Sequence, residues 1–160
     1  MAIIDLTSGS ETFQGGAAGD TIRGFEGNDT LTGVSGSAVI AGNVGNDIIQ
    51  GGGSGDTLLG GKGDDSIKSA SNSVLYGGLD NDTLIAVFSD TLFGGQGNDI
   101  LIGQSKSQLF GGQGNDSLIG ATSTTLAGDK GADTLISGGS NLLYGDDTKG
   151  DLNTLSLIHI

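Results

Sequence analysis

Acidic residues recur along this chain at one fixed phase, each at the end of a glycine-rich hexapeptide. Successive acids are 18 residues apart at first and 17 apart later, and Glu11 stands one such step before the first of them. Carboxylate oxygens are hard ligands, and Ca²⁺ takes roughly six to eight oxygens at about 2.3–2.6 Å. The pattern predicts a column of calcium ligands formed by Asp29, Asp47, Asp65, Asp82, Asp99, Asp116 and Asp133.

The glycines of these hexapeptides suggest a second kind of ligand. Glycine adopts backbone angles that other residues avoid, so it can turn peptide carbonyls toward one point. Stacked carboxylates without a counterion would also repel one another, because their spacing is shorter than the screening length in physiological salt. The alternative is that Asp and Gly merely suit turns, which does not explain the fixed phase of the acid. The further candidate ligands are Gly24, Gly42, Gly60, Gly77, Gly94, Gly111, Gly128, Asn98 and Asn115.

Aliphatic residues form a second periodic series, with one member two places after each acid and another half a repeat later. The step is nine residues up to Ile67 and alternates between eight and nine after it, and Ile4 and Phe13 extend the series backwards. This period fits neither an α-helix nor a reversing hairpin, but it fits a coil of two short strands and two turns. The series comprises Ile22, Leu31, Ile40, Ile49, Leu58, Ile67, Leu75, Leu84, Leu92, Leu101, Leu109, Leu118, Leu126, Leu135, Leu143 and Leu152.

The predicted fold class is all-β: a parallel β-roll, or β-solenoid, with coils of 17–18 residues. Each coil places its strands beside those of the preceding coil at about 4.8 Å, with the aliphatic side chains inside. The core is then a thin file of aliphatic residues, which is little apolar burial for so many ordered residues. Bound ions are therefore expected to supply part of the stability. We interpret residues 1–160 as one domain with clear repeats over 12–152.

The hexapeptides and the strands that follow them resemble the calcium-binding β-roll of the RTX (repeats-in-toxin) proteins, whose nonapeptide is GGxGxDxUx. The matching turns read GFEGND, GNVGND, GGKGDD, GGLDND, GGQGND twice, and GDKGAD. The resemblance implies that the six turn residues bind Ca²⁺ through backbone carbonyls and Asp carboxylates of adjacent coils. It also implies type I export of an unfolded chain, followed by folding outside the cell, where calcium is abundant.

The opposite edge of the predicted solenoid lacks a continuous column of acids. Its equivalent positions alternate between acids and neutral residues, and after Ile67 this edge loses its glycine-rich loop and one residue per coil. We therefore expect calcium-binding turns mainly along one edge, with about five to seven ions and a poor site in the last turn, 145–151. The positions on the opposite edge are Asp20, Ala38, Asp56, Ser73, Asp90, Ser107, Thr124 and Asn141.

Outward positions of the predicted strands carry two apolar stripes. Such stripes exceed what a lone soluble monomer normally exposes, although a covering loop would also explain them. Neither terminal segment resembles the polar cap that blocks edge pairing in stable solenoids. We therefore expect a homo-oligomer or polymer, with axial and lateral assembly both open. One sheet presents Leu59, Tyr76, Phe93, Phe110, Ala127 and Tyr144, and the other presents Thr32, Gln50, Lys68, Ile85, Ile102, Ile119 and Ile136.

Composition excludes several classes of function. The chain has 19 acidic residues against 6 Lys and Arg, a net charge of −13, so it cannot form the basic face that nucleic-acid binding requires. Neither a membrane-spanning segment nor an N-terminal leader with a basic region and an apolar run is present in the sequence. Cysteine is absent, the single His159 has no assigned role, and carboxylates that hold Ca²⁺ make poor acid–base pairs. We predict that the protein is not an enzyme.

Three functions stay open from the sequence. The first is a calcium-binding structural β-roll, secreted or at the cell surface, that folds on Ca²⁺ binding and self-assembles into a filament or surface layer. The second is an RTX secretion and folding module detached from a larger secreted enzyme, toxin or adhesin. The third is an ice- or glycan-binding repeat module, although Ile48 and Ile100 interrupt its threonine column. One interpretation of residues 153–160 is a non-native or truncated C-terminus, because LSLIHI resembles the translation of a common sequencing adapter.

Overall fold

The computed structural model of the chain describes residues 1–145 and 154–158. Every regular element in these two ranges is a β-strand, and neither range contains a helix long and apolar enough to cross a membrane. The strands are β1 (Ile3–Asp5), β2 (Thr12–Gly15), β3 (Thr21–Glu26), β4 (Thr30–Gly33), β5 (Val39–Val44), β6 (Ile48–Gln50), β7 (Thr57–Lys62), β8 (Ser66–Lys68), β9 (Val74–Leu79), β10 (Thr83–Ile85), β11 (Thr91–Gln96), β12 (Ile100–Gly103), β13 (Gln108–Gln113), β14 (Ser117–Gly120), β15 (Thr125–Lys130), β16 (Thr134–Gly138), β17 (Leu142–Tyr144) and β18 (Thr154–Ile158).

The strands form two parallel sheets that wind as one solenoid. One nine-stranded sheet contains the odd-numbered strands in the order β1 to β17, and the other contains the even-numbered strands from β2 to β18. Every pair of neighbouring strands is parallel, and each strand pairs with the strand two places along the chain. At about 4.8 Å per strand, each sheet is roughly 40 Å across. The predicted all-β parallel solenoid is confirmed.

The aliphatic series forms the core between the two sheets. From Ile22 to Leu135 its members have no exposed surface, because alternate strand residues point inward from both sheets. Ile4 pairs with Ile22 and Phe13 with Leu31, as the backward extension of the series predicts. The end of the series differs. Leu152 lies outside the described residues, and Leu135 is paired with Leu155 instead, a step of 20 residues.

Coil length changes from 18 to 17 residues without any change on the edge that carries the acid column. Leu58 pairs with Leu75 at a separation of 17, whereas Ile40 pairs with Leu58 at 18. The hexapeptides from Gly24–Asp29 to Gly128–Asp133 all keep six residues. The lost residue therefore comes from the opposite edge, as the sequence predicts.

Both apolar stripes lie on the outside of the sheets, in register from coil to coil. Tyr76, Phe93 and Phe110 are paired neighbours, and their rings stack with centroids 5.1 Å apart. On the other sheet Ile102 pairs with Ile85 on one side and Ile119 on the other. The predicted outward positions are confirmed for these residues, whereas Ala127, predicted to face outward as well, is only 8% exposed.

Candidate calcium-binding edge

Each hexapeptide carries the chain from one sheet to the other. Its first three residues end an odd-numbered strand and only its last three form the connection, so the expected six-residue turn is shorter than the sequence predicts. In the turn Gly94–Asp99, Gly95 and Gly97 have φ angles of 119° and 136°, a region that favours glycine. The same two positions have positive φ in all seven turns, even where a larger residue such as Phe25 occupies one of them, with φ 76°. Turns of different sequence therefore share positive φ angles at the same two positions.

The acids at the ends of these turns form one continuous column. The backbone N–H of each acid donates to Oδ1 of the acid in the next coil at 2.7–2.8 Å, beginning with Glu11 and ending at Asp133. Asp99, for example, donates its N–H to Asp116 and accepts that of Asp82. The predicted stacking of the acids is therefore present, and one oxygen of each carboxylate is bound within the protein.

In Glu11 and the first six aspartates of the column, the other carboxylate oxygen is buried and lacks a hydrogen-bond partner. The six aspartate side chains are between 1% and 3% exposed. Burying an ionised carboxylate oxygen without a partner carries a large desolvation cost. A site of this kind fits a cation, because a cation satisfies an acceptor that no donor of the protein reaches. The atoms are Oδ2 of Asp29, Asp47, Asp65, Asp82, Asp99 and Asp116, together with Oε2 of Glu11.

The first glycine of each turn makes room for this oxygen. A methyl group added at Gly94 would lie under 3.0 Å from both Oδ2 of Asp99 and the carbonyl oxygen of Gly111 in the next coil. The same pair of oxygens surrounds the first glycine in the turns that begin at Gly24, Gly60, Gly77 and Gly111. Pairing between odd-numbered strands from β3 to β15 skips this glycine every time. Carboxylate and carbonyl oxygens of two coils therefore converge on one space.

On the opposite edge, both carboxylate oxygens of each acid accept hydrogen bonds. Oδ2 of Asp20 accepts the N–H of Ala17, and Oδ2 of Asp56 accepts that of Gly53. Oδ2 of Asp90 accepts the N–H groups of Val87 and Phe88 and the hydroxyl of Ser69. These carboxylates close their own turns, so both oxygens are used. The two edges therefore differ in whether the second carboxylate oxygen already has a hydrogen-bond donor.

Comparison with known families settles which repeats these are. A model of the RTX calcium-binding nonapeptide repeat, in four copies, matches residues 5–40, 32–67, 69–86, 88–105, 108–124 and 120–148. The chain belongs to the RTX calcium-binding repeat family. Its repeats are calcium-binding β-roll repeats, and RTX repeats are typical of secreted proteins. No curated protein and no solved structure matches the chain.

The RTX turns also contain a ladder that the sequence analysis did not recognise as one. Oδ1 of Asn98 accepts the backbone N–H of Asn115, whose own Oδ1 accepts that of Ala132. Equivalent bonds run from Asn28 through the middle coils, in the opposite direction to those of the acids. Asn98 and Asn115 are thus placed beside the acid column with their carbonyl oxygens already bonded. The recurrence of asparagine directly before the acid of several hexapeptides is the sequence feature that could have revealed this ladder.

Backbone carbonyl oxygens are the second type of candidate ligand on this RTX edge. Within residues 1–145 and 154–158, no three acidic, histidine or cysteine side chains converge on one point. Carbonyl oxygens are accepted ligands for Ca²⁺, which tolerates irregular geometry. The predicted poor site in the turn 145–151 falls mostly outside the described residues.

Burial and mutual repulsion make the carboxyl groups of the acid column harder to ionise. Burial raises the pKa of Asp47 to about 6, of Asp65 and Asp116 to about 7, and of Asp82 to about 8, and it also raises the pKa of Asp99. Repulsion from neighbouring carboxylates in the column adds to the rise in the pKa of Asp82. On the opposite edge, backbone donors lower the pKa of Asp20. The pKa of aspartate is therefore raised in the acid column and lowered at Asp20 on the opposite edge.

The raised pKa values predict that the calcium-free fold is favoured by acid. A carboxyl group whose pKa is raised on folding contributes stability that is fully present below its ordinary pKa of 3.8. That contribution is lost as the pH rises through the folded-state pKa, here about 6 to 8. We expect calcium-stripped protein to show β-structure near pH 4 and to lose it by pH 8, measured by far-UV circular dichroism. A β-signal that grows with pH would contradict this prediction.

Substitution of a first glycine tests the space around the buried oxygen. Gly94 does not have a positive φ, so alanine can adopt its backbone conformation, and only the added methyl group matters. We expect Gly94→Ala to raise the calcium concentration needed for folding, because the methyl group fills the space between Asp99 and Gly111. The overpacking cost is about 1–3 kcal/mol. Gly138→Ala is the matched control, since the only heavy atom near its added methyl group lies 3.9 Å away. Equal effects of the two variants would argue against the site.

Proposed function

We propose that the chain is an extracellular structural β-roll whose folding is driven by calcium bound between neighbouring coils. One observation carries this proposal: buried carboxylate oxygens without partners repeat along one edge, and five of them share the space beside a first glycine with a carbonyl oxygen of the next coil. A bound Ca²⁺ supplies the positive charge and the coordination that these oxygens lack. The opposite edge does not repeat this arrangement.

Coupling between binding and folding follows from where the ligands come from. Oδ2 of Asp99 and the carbonyl oxygen of Gly111 belong to different coils and meet only when those coils stack. When a site exists only in the folded state, the free energy of binding becomes free energy of folding. The aliphatic core is one thin file, so this contribution decides whether the folded state is populated. In a calcium-poor cytosol the chain would stay unfolded, as export by a type I route requires.

The number of ions follows from the number of stacked turns. The seven hexapeptides from Gly24–Asp29 to Gly128–Asp133 define six intervals, each with an acid and glycine carbonyls. We therefore propose about six calcium ions on this edge, within the range of about five to seven expected from the sequence. Native mass spectrometry of the folded protein tests the count. A stoichiometry of one or two ions would contradict the model of one ion per interval.

A binding role, rather than a catalytic one, suits the same residues. The buried acids are fixed by backbone hydrogen bonds and face carbonyl oxygens, so none of them is placed to exchange protons with a substrate. His159, the only histidine, lies outside the described residues. We propose that the protein is not an enzyme.

The second part of the proposal is that calcium-loaded rolls associate with one another into a filament or surface layer. The outward residues Tyr76, Phe93 and Phe110 are aligned, their rings stack on one another, and Tyr76 is 41% exposed. Exposed apolar stripes on a regular sheet are typical of interaction surfaces. The other candidate is a secretion and folding module of a larger secreted protein, which would fold with calcium but stay monomeric.

Negative-stain electron microscopy with and without calcium distinguishes the two candidates. At protein concentrations of about tens of micromolar, a structural β-roll should form elongated particles only in calcium. Particles of single-roll size under both conditions, with calcium-dependent circular dichroism retained, would favour the module. Elongated particles that persist in chelator would count against calcium control of assembly.

A further inference from the structure

We infer that one face of the odd-numbered sheet binds a second copy of this chain, an inference that rests on the proposed calcium-loaded fold and names its contact surface. We call this surface the aromatic face. Its centre is one row of outward positions on five consecutive odd-numbered strands, β7 to β15. The row consists of Leu59, Tyr76, Phe93, Phe110 and Ala127, and Ala127 is only 8% exposed. The charged residues of these strands, Lys62, Asp129 and Lys130, lie two or three positions beyond the row, at the ends of β7 and β15.

A ridge of stacked rings runs along the centre of this face. The rings of Tyr76 and Phe93 are inclined by 10°, and those of Phe93 and Phe110 by 12°. Tyr76 is 41% exposed. Because the rings cover one another's flat sides, their edges point outward. A sugar ring packs against the flat side of an aromatic ring, so the stacked arrangement does not favour a glycan as the occupant.

A strip without side chains lies beside the ridge. The strip is formed by glycines that pair with one another from coil to coil. Each lies two positions after a residue of the row Leu59, Tyr76, Phe93 and Phe110, and the glycines are Gly61, Gly78, Gly95 and Gly112. A methyl group added at any of them would lie under 3.0 Å from a carbonyl oxygen of the preceding coil. The four ridge coils thus have glycine at this position, whereas Asn43 and Asp129 occupy it in the flanking coils.

Ridge and strip together make the aromatic face self-complementary. A two-fold axis parallel to the solenoid axis, placed between two facing copies, brings the ridge of each copy against the strip of the other. Symmetric dimers use such isologous contacts, in which one patch meets the same patch of its partner. A second copy of this chain is therefore the occupant that the shape of the face fits.

Charge explains why this contact would depend on calcium. The chain has a net charge of −13, so two calcium-free copies repel one another. Six bound Ca²⁺ ions would bring the net charge to about −1, where protein association is favoured. The face is also small, since five strands at about 4.8 Å span only ~20 Å. We therefore expect weak association, visible at about 100 µM and lost at about 1 µM protein.

Sedimentation velocity of the full chain in saturating calcium tests the inference. The wild-type protein should sediment faster as its concentration rises, whereas Phe93→Lys should stay monomeric with an unchanged calcium-dependent circular dichroism spectrum. Lysine lowers the net negative charge, so loss of association could not be attributed to added repulsion. Tyr76→Lys, at the end of the stack, is a second variant in case Phe93→Lys does not fold. Ile102→Lys, on the other sheet, is the matched control and should associate normally.

Several outcomes would overturn the inference. Association of Phe93→Lys or Tyr76→Lys at wild-type strength would exclude the aromatic face, and loss of association only in Ile102→Lys would assign the contact to the other sheet. A wild-type protein that folds with calcium but stays monomeric at about 100 µM would remove the inference and leave calcium-driven folding intact. If calcium does not change the circular dichroism spectrum of the wild-type protein, the proposed function itself is wrong.

Discussion

Removal of calcium is expected to convert the far-UV circular dichroism spectrum from β to disordered at neutral pH. The acid column places at least six partnerless carboxylate oxygens inside the fold, and each is costly to bury in its charged form. The thin aliphatic core cannot offset that cost alone. The measurement is a spectrum at low ionic strength before and after EGTA, followed by recovery on adding excess calcium. We expect nearly complete loss and nearly complete recovery of the β-signal.

Magnesium provides the control for this experiment. Mg²⁺ demands near-octahedral geometry and gives up its water reluctantly, so backbone carbonyls of a turn suit it poorly. Equal concentrations of Mg²⁺ should therefore leave the chelated protein disordered, which separates specific coordination from simple screening of the acids. A β-spectrum that is unchanged by the chelator would refute calcium-driven folding.

Asp99→Asn is expected to weaken calcium binding strongly, as the equivalent change at any inner acid of the column should. The variant keeps Oδ1 as an acceptor for the N–H of Asp82 but replaces the buried Oδ2, which faces the Gly111 carbonyl oxygen, with an amide nitrogen. Binding should weaken on both sides of this acid, because it is bonded to the coils before and after it. We expect the midpoint of the calcium titration to rise about tenfold or more, equivalent to ~1.4 kcal/mol.

Asp64→Asn is the matched control for this variant. It removes one negative charge from the same edge, but Asp64 is exposed. Asp64 belongs to the ladder of hydrogen bonds beside the acid column, in which Asn46 and Asn81 occupy the equivalent positions. Its calcium midpoint should stay within about twofold of wild type. Equal shifts in the two variants would mean that overall charge, and not a buried ligand, controls calcium binding.

Much of the fold could be predicted from the sequence because one coil repeats with a strict period. The aliphatic residue two places after each acid fixes which strand face is buried, and a slip by one residue would expose the whole series. Tyr76 and Phe93 could be placed on the outer face for the same reason. The last coil could not be placed, because the step from Leu135 to Leu155 departs from the period.

The candidate site was predictable in its residues but not in its atoms. Periodicity locates Asp99 in a column, but only the geometry shows that Oδ1 accepts a hydrogen bond within the acid column and that Oδ2 has no donor. Asp90 has the same side chain, yet its Oδ2 accepts two backbone N–H groups of its own turn. Local hydrogen bonding of this kind depends on turn conformation, which single residue types do not specify.

The change in coil length shows which edge is free to vary. All seven hexapeptides keep their length while the opposite edge loses a residue between Leu58 and Leu75, and the two sheets remain in register through the change. Side chains such as Ser71 and Asn72 lie on connections that the acid column does not touch. Foreign peptide loops grafted there should be displayed at regular intervals along one side of the roll without disturbing its metal-dependent assembly.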